Sequence, residues 1–517
     1  MTRLKKLLAD GLLPALFGVL ATLGFAPFAA WPATLAAVLG LVALWRGVGA
    51  RRAAWRGFVF GVAQFATGIH WVYVAMHANA GMPAVLAGLA TAGLALYLAL
   101  YPALAGALVG AMRRLPLTPW ALCVVPATWT LAEWLRSWLF SGFDWLAIGY
   151  AATDIPVNGI APVVGVHGWS FLLVSAAGGI YMLYVGGLVA RLIACGLALA
   201  LPLLLWCLPP AVHWTQRASA PLSVAVMQGN VAQHDKWRPD NLAPTIDRYA
   251  AMTRRTDADL VVWPEVAVPA PMALVMPALD AVGKTARAEG KTVLAGVLRG
   301  GREPGSYYNA LVALGAGQGE YHKRHLVPFG EYVPGPAWLD ALLDGLGAPI
   351  GRLATGAADQ RLLHAGSVRL GATICFEDVF GRNVIRDLPA AGVLVNVTND
   401  GWFAGTIGPA QHLQIARMRA AEAGRPMVRA ANTGISAIID FTGRVYDRTA
   451  EDTTARLVGH VIPRTGATPY ARHGETPVAS ASAAIVLLGG LAAGLLGWRR
   501  RRRDGIAERR RELARRV

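Results

Sequence analysis

At 517 residues and 55% hydrophobic, with a mean hydropathy of +0.43, the chain exceeds the roughly 45–50% apolar share of a soluble domain. Its formal charge of +17 would suit a nucleic-acid binder, but the basic residues gather in the tail 499–516 and in short loops between apolar runs. No recognition motif accompanies them, so nucleic acid is set aside as a partner and the charge is read as a membrane topology signal.

From the amino end, apolar runs near 11–27, 31–45, 57–76, 83–111, 119–139, 163–187 and 191–210 approach or exceed the ~20 residues that cross a bilayer, though the second is short. The opening Arg3-Leu4-Lys5-Lys6 before an apolar run also has the look of a signal peptide; with more spans following and no clear small-residue cleavage site, it reads as an uncleaved anchor. Arg3, Lys5 and Lys6 precede the first span. Arg46, Arg51, Arg52 and Arg56 fall between the second and third, Arg113 and Arg114 between the fourth and fifth, and Arg191 between the sixth and seventh. The alternate loops 25–31 and 77–82 carry almost no positive charge, which predicts a cytoplasmic amino terminus. Seven spans then leave residue 214 outside, and an eighth at 477–497 returns the chain to a cytoplasmic Arg-rich tail. The expected organisation is a membrane bundle over 1–213, a periplasmic domain over 214–476, the last span 477–497 and the tail 498–517.

The fifth span brings polar groups into the bundle. Glu133 and Arg136 are three residues apart and are expected to pair on one helix face, with Asp144 nearby; such charges are either functional or a structural pair at the membrane edge. Trp134, Trp138, Phe140, Phe143 and Trp145 read as an interfacial aromatic belt, or else as the lining of a lateral opening for lipid.

Residues 214–476 change character. Short β-rich runs at 222–228, 260–263, 292–298, 309–314, 368–374, 393–397, 437–440 and 457–461 alternate with helical segments at 241–255, 273–289 and 409–423, the pattern of an α/β domain. The Gly-rich pieces at 300–301 and 315–319 sit where hairpin turns belong, and none has a phosphate-loop pattern. Of the four cysteines, Cys123, Cys195 and Cys207 lie in apolar runs; Cys375 alone lies in this polar region, with no partner there for a disulfide.

Three segments carry chemistry. Trp263-Pro264-Glu265 places a carboxylate at the end of an apolar strand. Lys323 is followed eight residues later by Glu331. Ile374-Cys375-Phe376-Glu377 ends another strand with a thiol. These residue types suit acyl transfer: a carboxylate base to make a thiolate, and a fixed cation for the oxyanion of a tetrahedral intermediate. Taken singly, each has an ordinary reading as a solvated Glu, a surface Lys and a buried small thiol. His412 lies within a helix and has no second ligand at metal spacing, so no metal and no cofactor are expected.

These segments resemble the nitrilase superfamily and, more closely, the apolipoprotein N-acyltransferase family. The resemblance runs through Gln228-Gly229-Asn230, Lys236-Trp237, Trp263-Pro264-Glu265, Lys323 to Glu331-Tyr332-Val333-Pro334 and Cys375-Phe376-Glu377. It continues through Asn399-Asp400-Gly401-Trp402-Phe403, Gln411-His412, Gly424-Arg425-Pro426 and Asn432-Thr433-Gly434. It implies a multi-span helical membrane bundle joined to an α/β nitrilase-like α-β-β-α sandwich facing the periplasm of the bacterial inner membrane. It implies Glu265 as general base, Lys323 as transition-state stabiliser and Cys375 as acyl acceptor. Glu331 is implied to hold Lys323 or assist proton transfer, an ordinary ion pair being the alternative. Trp237, Phe376, Glu377 and Trp402 are implied to shape the acyl and headgroup pocket; Phe376 stands where the family often carries Tyr, so a hydroxyl is lost there.

The implied activity is ping-pong transfer of an acyl chain from a phospholipid to the α-amino group of a diacylglyceryl-cysteine on an apolipoprotein, with membrane lipids as surroundings. The rival readings are a membrane-tethered amidase that hydrolyses a small polar substrate with the same three residues, and a transporter or scaffold carrying a degenerate domain.

Overall fold

The computed structural model describes residues 3–155, 158–207, 214–345 and 351–516. Each expected span coincides with helix. The first run is built from Arg3–Leu7, a π-turn at Leu8–Leu12, and Leu13–Thr22. Then come Trp31–Trp45, Ala50–Gly68, Ala84–Ala111, Val125–Arg136, Ala161–Val185, Leu188–Cys207 and finally Thr476–Arg516. The expected end of the seventh span at 208–210, and the boundary expected at residue 213, lie outside the described residues.

Among the described residues, Ala84–Ala111, Ala161–Val185 and the last helix are long and apolar enough to cross a membrane individually; Ala50–Gly68 with Trp71–Asn79, bent by 49°, makes a fourth as a pair. Trp31–Trp45 has 15 residues, which at ~1.5 Å per residue falls short of a ~30 Å hydrocarbon core.

Small residues set the packing inside the bundle. A Cβ on Gly57 would run into the carbonyl of Pro102, so only glycine lets Ala50–Gly68 lie this close to Ala84–Ala111. The third helix starts seven residues before the apolar run, so that three arginines expected in the preceding loop, Arg51, Arg52 and Arg56, are on the helix; Arg52 and Arg56 each lie 2.7 Å from the shared partner Asp10.

The expected pairing of Glu133 with Arg136 does not occur. Glu133 Oε1 accepts from Trp129 Nε1 and from the Ile148 amide, both at 2.8 Å. Arg136 donates to the carbonyls of Phe143 at 2.7 Å and Trp145 at 2.5 Å. The loop that follows the helix folds back over it and offers unsatisfied backbone groups, which outcompete a side chain three residues away. Asp144 instead faces His167, with Oδ1 3.2 Å from Nε2.

From residue 214 the chain forms strands β1 (Thr215–Arg217), β2 (Leu222–Gln228), β3 (Leu260–Val262), β4 (Thr292–Gly300), β5 (Tyr307–Gly315), β6 (Glu320–His322) and β7 (Leu363–Ala365). It continues with β8 (Val368–Ile374), β9 (Val393–Thr398), β10 (Met427–Ala431), β11 (Ala437–Ile439), β12 (Val445–Arg448), β13 (Ala455–Val461) and β14 (Arg464–Gly466). Two six-stranded sheets result, ordered β13-β2-β3-β4-β5-β6 and β12-β11-β10-β9-β8-β7, while β1 and β14 pair separately. Each has a parallel centre, β2-β3-β4 in one and β8-β9-β10 in the other, flanked by antiparallel strands.

The sheets pack face to face. Val224, Val226, Leu260 and Val262 of the first meet Leu370, Ile374, Val393 and Val395 of the second in one core. Pro239–Arg254 and Met272–Ala288 cover the outer face of the first sheet through Tyr249 and Leu279, and Gly408–Ala423 covers the second through Leu413 and Ala416. The architecture is therefore the expected α-β-β-α sandwich beside a helical bundle.

The two parts share a core. Phe376, Phe380, Phe403 and Met418 of the sandwich are buried with Trp71, Trp145 and Tyr150 of the bundle. Gln411 of the sandwich accepts from Trp71 Nε1 at 3.2 Å and Trp145 Nε1 at 2.7 Å, and donates to the Gly68 carbonyl at 3.2 Å. The last bundle helix does not stop at a bilayer edge: it continues unbroken through the basic segment to Arg516. That segment is rich in Arg and free of Pro, and Gly505 alone within it disfavours helix without ending it.

Candidate active site

Parallel strands send their carboxyl ends to the same side, and the loops there converge. Glu265 follows β3. Gly296 of β4 makes room for its loop, since a Cβ there would strike the Pro264 carbonyl. Glu265 is 6% exposed. Its Oε1 accepts from Asn309 Nδ2 of β5 at 2.7 Å and lies 3.6 Å from Lys323 Nζ. Its Oε2 is buried and has no hydrogen-bond partner among the described residues.

Lys323 follows β6 and is 1% exposed. Its Nζ donates to Glu331 Oε1 at 2.9 Å, while Glu331 Oε2 accepts the Val327 amide at 2.8 Å and so closes the loop onto itself. Asn309 Nδ2 also reaches Glu331 Oε1, at 3.3 Å. Burial works against the charge on Lys323, but Glu331 and then Glu265 outweigh it and hold the ammonium protonated well above the ordinary lysine range. Lys323 is a fixed cation, not a base.

Cys375 begins the tight turn Cys375–Val379 after β8, with φ at 53°, a left-handed conformation that costs a residue with a Cβ about 1–3 kcal/mol. Two contacts hold it there. Asn396 Nδ2 of β9 reaches the Cys375 carbonyl at 3.4 Å, and Glu377 Oε2 accepts the Ile374 amide at 2.8 Å. Burial pushes the thiol well up, Glu265 adds to this, and Lys323 with a hydrogen bond from Thr398 opposes it. The resting group is a thiol, so its nucleophilicity depends on a base that takes the proton.

The sequence-derived residues divide into three groups. Glu265, Lys323 and Glu331 form one contiguous cluster, and Cys375 is electrostatically coupled to it. Glu377 is fully buried and lines no opening: its oxygens accept from the amides of Arg324 at 2.7 Å, His325 at 2.9 Å and Ile374 at 2.8 Å, and from Tyr321 Oη at 2.9 Å. It ties the Lys323 loop to the Cys375 turn. Phe376 is buried against Phe143 of the bundle, Phe380 and His325, with ring centroids 6.2, 5.0 and 6.1 Å away. Trp237 and Trp402 are the exposed members, at 52% and 37%. The Trp402 carbonyl accepts from Asn79 of the bundle at 2.7 Å.

Behind the turn lies a buried charge network. His412 sits between Asp400 at 2.8 Å and Asp378 at 2.9 Å, and Arg429 reaches the same two carboxylates at 3.0 and 3.3 Å. Both ring nitrogens of His412 are thus engaged by protein. Burial and Arg429 disfavour its charge, yet Asp378 and Asp400 lift it to about 9.

Reading the sequence missed Asn309, Asn396 and the role of Lys236. Asn309 and Asn396 had a signal, an amide within an otherwise apolar strand. Lys236 had none beyond its place beside Trp237.

The class is set by two family models: carbon-nitrogen hydrolase over residues 223–470, and apolipoprotein N-acyltransferase N-terminal domain over residues 17–179. This is a membrane protein that carries a carbon-nitrogen hydrolase fold. Its apolipoprotein N-acyltransferase relative from Methylococcus capsulatus is 42% identical over 492 residues, covering 94% of this chain and 95% of its own. That from Nitrosomonas europaea is 39% identical, covering 92% and 96%. Among solved structures, a carbon-nitrogen hydrolase superfamily protein from Xanthomonas campestris matches 47% of this chain and 91% of its own at 18% identity, with a TM-score of 0.35. The chain belongs to the apolipoprotein N-acyltransferase family.

Proposed function

We propose that the chain transfers a fatty acyl group from a phospholipid to the α-amino group of a diacylglyceryl-cysteine at the head of an apolipoprotein, through a thioester on Cys375. The observation that carries this reading is the convergence of a buried carboxylate with a free oxygen, a permanently charged lysine and a thiol on a strained turn, in a domain whose core is continuous with a membrane bundle.

Glu265 takes the thiol proton, and Cys375 Sγ bonds to the ester carbonyl carbon. Lys323 faces the charge that develops on the carbonyl oxygen, which a buried fixed cation stabilises without reorganising. The carbon–oxygen bond breaks, the leaving alkoxide collects the proton from Glu265, and a lysophospholipid departs. The amine of the acceptor then attacks the thioester. Glu265 accepts its proton, the carbon–sulfur bond breaks, and the thiolate recovers the proton.

Glu331 and Asn309 keep Lys323 and Glu265 in register, Glu377 joins the two loops, and Trp237, Phe376 and Trp402 bound the path of the lipid. Both substrates are anchored in the bilayer. A sandwich fused to the bundle confines the reaction to their plane and raises their effective concentration. The alternation of loop arginines supports placing the sandwich (214–476) in the periplasm of an inner membrane, after a bundle over 1–213. The last span (477–497) and tail (498–517) then return to the cytoplasm, as does the amino terminus.

The test is capture of the intermediate. Purified enzyme given phospholipid without acceptor should accumulate acyl label on Cys375 that neutral hydroxylamine removes. Label that persists in Cys375→Ala would refute the reading.

A further inference from the structure

The loop after β3 is held from two sides. Asn309 and Lys323 hold the Glu265 side chain, but its backbone is gripped separately by Lys236, whose Nζ donates to the Glu265 carbonyl at 3.1 Å. The next residue, Val266, has φ at 43°, where a β-branched side chain is strained, so this peptide needs an external restraint. Lys236 ends the short helix Gln233–Lys236, and that helix is fixed at its other end to the second sheet: Gln233 Oε1 accepts from Asn399 Nδ2 at 2.7 Å, and Asn399 Oδ1 accepts from Asn432 at 3.0 Å. The lysine therefore bridges the loop that carries Glu265 and the half of the sandwich that carries Cys375.

Its charge is unusual. Lys236 is 3% exposed, and among the described residues no carboxylate lies within ion-pair distance of its ammonium. A buried ammonium held by one backbone carbonyl, with no carboxylate paired to it, is costly.

We propose that Lys236 is a positioning residue of this site: its ammonium fixes the Glu265 peptide and supplies a second positive charge toward the Cys375 thiolate. This rests on the reading of Glu265 and Cys375 given above. The groups that share its surroundings are Glu265 and Cys375, which favour its charge, with Lys323, Glu331 and Asp400 completing the cluster around them. Burial dominates and brings the lysine down to about 8, so its proton is exchangeable in a working range while that of Lys323 is not.

The full-length enzyme in detergent tests this through Cys375 itself, alkylated with iodoacetamide across pH 6.5–9.5 and followed by mass spectrometry of the Cys375 peptide. Lys236→Met removes charge and donor; Lys236→Gln removes the charge and keeps a donor. Below about pH 7.5 both should alkylate on the order of tenfold more slowly than wild type, the equivalent of one unit in thiol acidity. For Lys236→Gln the deficit should close above about pH 9, where wild-type Lys236 has also lost its proton; Lys236→Met, which also lacks the donor to the Glu265 carbonyl, should keep a residual deficit there. A deficit of Lys236→Gln that is independent of pH, or none in either variant, would overturn the proposal. Wild type gives a reading without any variant: its log rate should rise less steeply through pH 8 than a single ionisation, and a single-ionisation profile would equally overturn it. Alkylation needs no lipid, so a pH-dependent deficit supports the role of Lys236 even in an enzyme that forms no acyl-Cys375.

Discussion

Glu377→Gln removes a charge that no substrate can touch, so its effect separates support from substrate binding. The carboxylate receives two donors on each oxygen: the amides of Arg324 and His325 on Oε1, and the Ile374 amide with the Tyr321 hydroxyl on Oε2. An amide NH₂ can replace only one oxygen. Turned toward Arg324 and His325, it opposes two backbone N–H groups that cannot reverse. Turned the other way, it opposes the Ile374 N–H alone, because Tyr321 can rotate its hydroxyl to accept. The second arrangement is cheaper, yet it still loses one bond to a charged acceptor, about 1.5–3 kcal/mol, and leaves a buried donor unsatisfied. With about 1–3 kcal/mol for that donor, the sum is about 2.5–6 kcal/mol, a fall in melting temperature of roughly 5–24 °C at about 2–4 °C per kcal/mol. Thermal unfolding in detergent measures this directly, and steady-state kinetics should show kcat falling with KM little changed. Wild-type stability with a raised KM would refute the argument and make Glu377 a substrate contact.

Lys323→Arg keeps a cation but replaces a compact ammonium with a planar fork that cannot sit between Glu265 and Glu331; acyl transfer should fall by about 10²-fold or more, measured as single-turnover thioester formation. Glu331→Gln should leave Glu265 as the sole counter-ion of Lys323 and draw the base away from the thiol, lowering acylation by at least about tenfold without loss of fold. His412 is raised from its ordinary range to about 9, so its contribution to stability is complete below about pH 6.5 and lost as pH rises toward 9. Melting temperature of the wild type should therefore decline over that window more steeply than that of His412→Gln. Reporter fusions after Arg114 and Arg503 should read cytoplasmic and one near Gly300 periplasmic; a cytoplasmic signal at Gly300 would overturn the topology.

The apolar spans, the α/β alternation and the strand ends bearing Glu265 and Cys375 were legible because each is written in local pattern. What escaped depends on partners distant in sequence. Strand β10 lies at the centre of the second sheet, but Arg429 in its middle disguises it, and Asp378, Asp400 and Asn396 make that burial tolerable. The spacing of Glu133 and Arg136 suggested a pair, and a loop folding back took both. Arg52 and Arg56 looked like loop charges because Asp10, with which both pair, is more than forty residues away. Lys236 shows the same limit: nothing local marks a lysine that will be buried against the Glu265 peptide.

On the proposed mechanism the acyl group passes through Cys375 to an amine rather than to water. Purified enzyme incubated with phospholipid and a diacylated lipopeptide, and the peptide then weighed, tests it most directly. The expected result is a mass gain of one acyl chain, located on the α-amino group, that appears with wild type and is absent with Cys375→Ala. Release of free fatty acid with no change in peptide mass would contradict it.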